Sequence, residues 1–179
     1  LAHPRYIEFS DQNMLLINGG PPDHHFKNRY DQSGIAFEET NADPALADVD
    51  NDGDIDLYIT ATYSGRHSHL YLNDGRGRFT NATWLSKTRV ENGWGAAFAD
   101  FNRDGFTDLA VAGEDGVCLF ANMPNDNHWV QIAIKDRQCN PFGIGSRIEI
   151  RYDGRRQVRE IRAGHGTGSQ NAPVAHFGL

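Results

Sequence analysis

The chain has 179 residues, a formal charge of −7 at neutral pH and 39% hydrophobic residues. That length holds one domain or two small ones with enough apolar material for a core, and the acidic balance argues against a nucleic-acid partner. No apolar run reaches the ~18 residues of a membrane-spanning helix, so no membrane span is expected.

Taken from the N-terminus, Met14 to Asn18, His25 to Tyr30 and the Phe-bearing Ala36 to Thr40 read as short strands. Glu8 to Asn13 carries no regular acidic spacing, so this first unit resembles a partial copy of the later ones. A short helical stretch is expected around Ala42 to Leu46. Next comes Asp48-Val49-Asp50-Asn51-Asp52-Gly53-Asp54-Ile55-Asp56, with a carboxylate at every second position. Like charges a few ångströms apart repel by about 1 kcal/mol per pair even in bulk water. A hard divalent cation removes that repulsion, and calcium takes about 6–8 oxygen ligands from such a loop. Gly53 stands where the loop must turn sharply.

Leu57 to Thr62 is apolar and β-branched, as a strand would be. His69 to Asn73 comes after it, then Asn73-Asp74-Gly75, a strong hairpin signal, then Phe79 to Thr83. Asn81-Ala82-Thr83 is a glycosylation sequon on an expected surface turn. The acidic pattern then returns as Asp100-Phe101-Asn102-Arg103-Asp104-Gly105-Phe106-Thr107-Asp108, offset by 52 residues. Oxygen-bearing side chains again occupy positions one, three, five and nine, with Gly at six. A strand is expected over Leu109 to Ala112, and another over Gly116 to Asn122.

An EF-hand needs a bidentate Glu at the twelfth loop position and helices on both sides. Here that position is Ile59 or Val111, and both flanks read as strands. Each loop therefore leads into a β-strand. Units of loop, strand, turn, strand ending in Asn, Gly-containing turn and Phe-bearing strand suggest propeller blades.

These residues, with Gly93-Trp94-Gly95-Ala96-Ala97-Phe98-Ala99 before the second loop, resemble the FG-GAP/VCBS repeats of integrin-alpha-like β-propellers. The remainder is similar to the ASPIC/UnbV domain, on Asn127-His128-Trp129-Val130, Gly143 to Ile148, Gln157 to Ile161, Ser169-Gln170 and His176-Phe177-Gly178-Leu179. The resemblance implies an all-β chain. Residues 1–123 would hold propeller-type blades in an incomplete ring, and residues 127–179 a small sandwich or barrel-like module, truncated at its end. It also implies calcium at two sites. The first set is Asp48, Asp50, Asp52, the Asp54 carbonyl and Asp56, with the Asp54 side chain facing solvent. The second is Asp100, Asn102, Asp104, the Phe106 carbonyl and Asp108. With Asn102 at position three and Arg103 beside it, the second loop should bind more weakly.

Beyond Trp129, Val130, Ile132 and Ile134 alternate with smaller or polar residues, as do Ile148 and Ile150, and Asp153-Gly154 marks a hairpin. Arg147, Arg151, Arg155, Arg156, Arg159 and Arg162 make this part basic. They form either a solvated face or a docking surface for an acidic neighbour, such as another copy's repeats. Cys118 and Cys139 either bridge the last repeat to this segment in an oxidising compartment or are two buried thiols. Gly164-His165-Gly166-Thr167-Gly168-Ser169 is Gly-rich but lacks a P-loop Lys.

Catalytic signatures are weak. His67-Ser68-His69 would put two rings on one strand face, but no nucleophile elbow or zinc-protease helix is present. The sequence therefore points away from an enzyme, with a carbohydrate-active or carbohydrate-binding propeller as the alternative. The expectation is a secreted, calcium-stabilised module for adhesion or assembly, with glycans or extracellular proteins as candidate ligands. A closed propeller takes about 4–8 blades, so two full repeats and a partial one leave open strand edges. Those edges imply the rest of a longer chain, a homo-oligomer or a filament.

Overall fold

The computed structural model describes residues 13–36, 40–135 and 139–179. The expected readings over Glu8 to Asn13 and Phe37 to Glu39 lie largely outside those residues. Among the described residues the chain is nearly all β, built from several antiparallel sheets with no closed barrel.

The internal repeat is visible in its hydrogen bonds. Strand β1 (Leu16–Asn18) pairs with β2 (Phe26–Asn28), and a one-turn helix α1 (Tyr30–Ser33) comes next. Asn18 Oδ1 accepts the Gly20 amide, Asn28 Oδ1 accepts the Tyr30 amide, and the Ser33 hydroxyl donates to the Tyr30 carbonyl. The next unit repeats this wiring through β5 (His69–Asn73), β6 (Phe79–Asn81) and α2 (Thr83–Ser86). There Asn73 Oδ1 accepts Gly75 N, Asn81 Oδ1 accepts Thr83 N, and the Ser86 hydroxyl donates to the Thr83 carbonyl. In both units a short amide side chain closes each turn locally.

Strands β3 (Asn41–Ala47) and β4 (Asp56–Ala61) complete a four-stranded sheet in the order β3-β4-β5-β6. The helical expectation around Ala42 to Leu46 is therefore incorrect. Ala45 and Leu46 pair with Tyr58 and Leu57, and the register shifts between Asn41 and Pro44. Sheet pairing overrides the local preference, and Pro44, which has no amide to donate, sits at the irregularity.

A second sheet has the order β7 (Gly95–Ala99), β8 (Asp108–Gly113), β9 (Gly116–Phe120). The two sheets meet through β3 and β7. Ala45, Tyr58, Leu70, Val90, Phe98, Leu109 and Val111 fill the space between them. Tyr58 is fully buried, and its hydroxyl donates to the Thr88 carbonyl at 2.7 Å. That bond removes the cost of an unpaired hydroxyl in the core.

Strand β9 lies at a sheet edge and leaves Val117 and Leu119 about two-thirds exposed. Cys118 on this strand and Cys139 are both exposed, and no disulfide joins them. Neither expectation for the pair, a bridge or two buried thiols, describes what is seen.

The C-terminal part contains two two-stranded ladders. Strand β10 (Trp129–Ile132) pairs with β13 (Ala175–Gly178), and β11 (Arg147–Tyr152) with β12 (Arg155–Glu160). Ile134 falls beyond β10. Asp153 and Gly154 join β11 to β12 with φ of 44° and 74°, the left-handed pair of a tight hairpin.

The Gly-rich stretch docks onto the first repeat sheet. The carboxylate of Asp43, fully buried, accepts Thr167 N at 2.7 Å and Ala96 N at 3.0 Å. A Cβ on Gly166 would lie 1.5 Å from Asp43 Oδ1. This glycine lets the backbone grip an anion, and the anion is the chain's own carboxylate.

Candidate metal centre

The two acidic loops are wound alike. Position four is left-handed in each, at Asn51 (φ 59°) and Arg103 (φ 61°), and so is position six, at Gly53 (95°) and Gly105 (89°). The carboxylate at position one accepts the amide at position six, 3.1 Å for Asp48 with Gly53 and 3.0 Å for Asp100 with Gly105. Position nine accepts the amide at position two, 2.8 Å in both loops. Position five accepts the amide at position seven, from Asp54 to Asp52 and from Phe106 to Asp104. The second oxygen of Asp56 takes the Asn73 amide, and that of Asp108 takes the Asn122 amide. Backbone amides thus hold the carboxylates turned inward, at the positions the sequence marks.

The first loop gathers its carboxylates more tightly. Asp48, Asp50 and Asp56 each offer an oxygen, and these atoms lie within 4.8 Å of one another. Asp48 and Asp56 are almost wholly buried, and Asp48 Oδ1 has no hydrogen-bond partner. An orphaned, buried carboxylate oxygen is costly, and here it belongs to a trio with the oxygen chemistry that a hard cation takes. Burial pushes the Asp56 carboxyl up to about 7 and Asp48 up to about 6. Asp50 is also raised, by burial and then by Asp52.

Asp52 lies outside the trio and shapes the turn. The Asp54 side chain is only partly exposed. It packs against the β5–β6 turn, where a Cβ on Gly75 would fall 2.3 Å from Asp54 Oδ2. Burial, then the Asp52 charge, raises its pKa.

The second loop closes partly on itself. Asn102 Nδ2 donates to Asp104 Oδ2 at 2.7 Å, and Gln131 Nε2 donates to Asp100 Oδ2 at 3.0 Å. Among the described residues, Asp100, Asp104 and Asp108 do not form a second trio as tight as the first. Phe106 is buried and its amide is used within the loop.

The C-terminal strands sit directly over both loops, which local sequence patterns do not indicate. Gly178 N donates to Asp48 Oδ2 at 2.9 Å. Arg159 Nη2 lies 3.8 Å from the same oxygen and donates to the Gly53 carbonyl at 3.3 Å. Asn51 is fully buried, with its Oδ1 2.6 Å from His176 Nε2 and its Nδ2 donating to the Gly105 carbonyl. A Cβ on Gly105 would lie 1.7 Å from the Trp129 ring, and one on Gly53 would lie 2.7 Å from Gln157 Nε2. Both position-six glycines therefore admit a neighbour from the far end of the chain as well as a turn.

A cavity of about 170 Å³ lies between the loops and these strands, bordered by Asp48, Asp100, Arg159, His165 and His176. It falls below the ~300 Å³ at which ordinary small-molecule sites begin. Of the arginines, Arg159 meets the acidic loop of its own chain, while Arg151 and Arg156 pair with Glu149 and Arg162 with Glu160. His67 lies in an isolated bridge with Glu91, ahead of β5, so His67 and His69 do not share a strand face as expected, although their ring centroids are 4.6 Å apart.

Comparison with protein families supports the same division of labour. Residues 48–111 match the FG-GAP-like repeat, and residues 136–179 match the family named ASPIC and UnbV. The chain contains an FG-GAP-like repeat and an ASPIC/UnbV domain. The FG-GAP match begins at Asp48, the first residue of the first loop, and ends inside β8. The ASPIC/UnbV match contains Arg159, His176 and Gly178, which cover that loop. Among curated proteins the comparison found no match. No described helix is long and apolar enough to cross a membrane.

Proposed function

We propose that this FG-GAP protein is an extracellular structural or adhesion module whose repeats are stiffened by calcium, and that it is not an enzyme. The observation that carries the reading is the Asp48–Asp50–Asp56 trio with its buried, unpartnered Asp48 oxygen. The first ion is held by Asp48, Asp50, Asp52, Asp56 and the Asp54 carbonyl. The second is held by Asp100, Asn102, Asp104, Asp108 and the Phe106 carbonyl. Bound calcium supplies positive charge that cancels carboxylate repulsion and stabilises only the wound loop. At a hundredfold excess over its dissociation constant it adds about 2.7 kcal/mol of stability. FG-GAP repeats typically occur in extracellular proteins, where calcium is abundant enough for a loop of modest affinity.

Titration calorimetry tests the reading. Wild-type protein should bind two ions, and Asp50→Ala should lose the tighter one. An Asp50→Ala protein that binds both ions as tightly as wild type would overturn the assignment. Polysaccharide turnover that survives loss of both loops would favour a carbohydrate-active enzyme instead.

The exposed edge of β9 supports a second reading, in which copies or further blades add strands to the second sheet. Its backbone groups on the open side are a template for pairing. Light scattering in calcium and in chelator distinguishes the cases, since assembly through β9 should yield particles above the 20.0 kDa chain mass.

A further inference from the structure

We propose that cation binding at the first loop and seating of the ASPIC/UnbV strands are a single linked equilibrium, transmitted by Gly178, Arg159 and His176. The inference rests on the reading of that loop as a calcium site.

Four loop groups are held from outside by residues far along the chain. The Asp48 carboxylate takes the Gly178 amide, and the Asp50 carbonyl takes the side-chain amides of Asn125 and Asn127. The Gly53 carbonyl takes Arg159, and the Asn51 amide oxygen meets His176. These acceptors converge only while Asn51 and Gly53 keep their left-handed backbone. A cation on Asp48, Asp50 and Asp56 fixes that same winding. Ordering the loop is therefore a cost incurred once, by whichever partner arrives first, and the second then binds more tightly. Linkage of this kind is reciprocal: calcium must strengthen the seat by the factor with which the seat strengthens calcium.

The division of the Asp48 carboxylate supports this. Gly178 and Arg159 both approach Oδ2, which leaves Oδ1 as the oxygen without a protein partner. Arg159 is anchored within its own segment by the His176 carbonyl, the Gln157 amide oxygen and the Phe177 ring. It meets the loop as a fixed charge behind the carboxylate. Gly178 sets the distance of approach, because a Cβ there would lie 2.4 Å from the Asn51 carbonyl carbon. These are positioning residues and not ligands.

The test is hydrogen–deuterium exchange of the full chain in millimolar calcium and in chelator, with calcium affinity measured in parallel by calorimetry. Amides of β12 and β13 should exchange about tenfold more slowly with calcium, a factor within the range of coupled sites. Asp50→Ala should abolish that difference. Gly178→Ala and, separately, His176→Ala should raise the calcium dissociation constant of the first loop by a similar factor. Equal exchange of β12 and β13 in both conditions, with calorimetry still recording calcium on the first loop, would overturn the linkage and leave the calcium reading standing. An unchanged dissociation constant in both variants would do the same. No calcium binding by the wild-type chain would overturn both.

Discussion

Asp48 and Gly178 are separated by 130 residues, yet the Gly178 amide donates to Asp48 Oδ2 at 2.9 Å. The first residue of the acidic loop and the penultimate residue of the chain therefore share one buried hydrogen bond. A backbone amide at this position favours the charged carboxylate, and the other oxygen, Oδ1, has no hydrogen-bond partner. The repeat and the ASPIC/UnbV domain are thus joined at the candidate metal centre itself.

Stability should depend on pH in opposite ways with and without calcium. Burial raises the Asp48 and Asp56 pKa values to about 6 and about 7, against an ordinary value near ~3.9. In chelated protein their contribution is fully present below the ordinary value and is lost as pH rises through the raised ones. Each unit is worth about 1.4 kcal/mol. Chelated protein should therefore lose Tm from these groups as pH climbs toward about 8, while calcium, which needs the charged forms, should stabilise more at the higher pH. Scanning calorimetry across that range checks both slopes.

Gly105→Ala should be among the most damaging single-methyl changes in the protein. The residue has φ +89°, and its Cβ would lie within the Trp129 ring. The backbone conformation alone costs about 1–2 kcal/mol for a residue with a Cβ, and the overlap adds to it. Gly20→Ala, at φ +77° with open space around it, supplies the backbone cost without the collision. Denaturant unfolding of the two variants should place Gly105→Ala well below Gly20→Ala.

Much of the site is legible in the sequence because its signals are local. Asp48 to Asp56 and Asp100 to Asp108 announce themselves by spacing, and Asp74-Gly75 and Asp153-Gly154 by turn chemistry. An Asn at the end of β1 and of β5 (Asn18, Asn73) and one two residues past the end of β9 (Asn122, outside the strand expected to reach it) are visible too, but not the reason for them. Asn73 and Asn122 pass their amides to the position-nine carboxylates, a role whose signal is the repetition itself. Asn51, Asp43 and Gly178 leave no such trace. Their partners stand 125, 124 and 130 residues away, and no local pattern encodes such a contact. The strand over Ala42 to Leu46 escapes local reading for the same reason, since its pairing with β4 and its burial against the second sheet outweigh local preference.

Asp43→Ala should loosen the Gly-rich stretch without touching either loop. It removes the acceptor of the buried Ala96 amide, an unsatisfied donor that costs about 1–3 kcal/mol, and it frees the amide of the exposed Thr167 to water. A fall in Tm accompanied by faster amide exchange over residues 164–169 is expected. A variant with unchanged exchange there would show that Asp43 does not hold the stretch.

The most direct measurement is calcium titration calorimetry of the wild-type chain beside Asp56→Asn, which keeps the size of the side chain and removes its charge from the trio. Calcium on both loops predicts two bound ions for the wild type and loss of the tighter one in Asp56→Asn. A wild-type chain that takes up no calcium at millimolar concentration, or a variant that binds two ions unchanged, would contradict it.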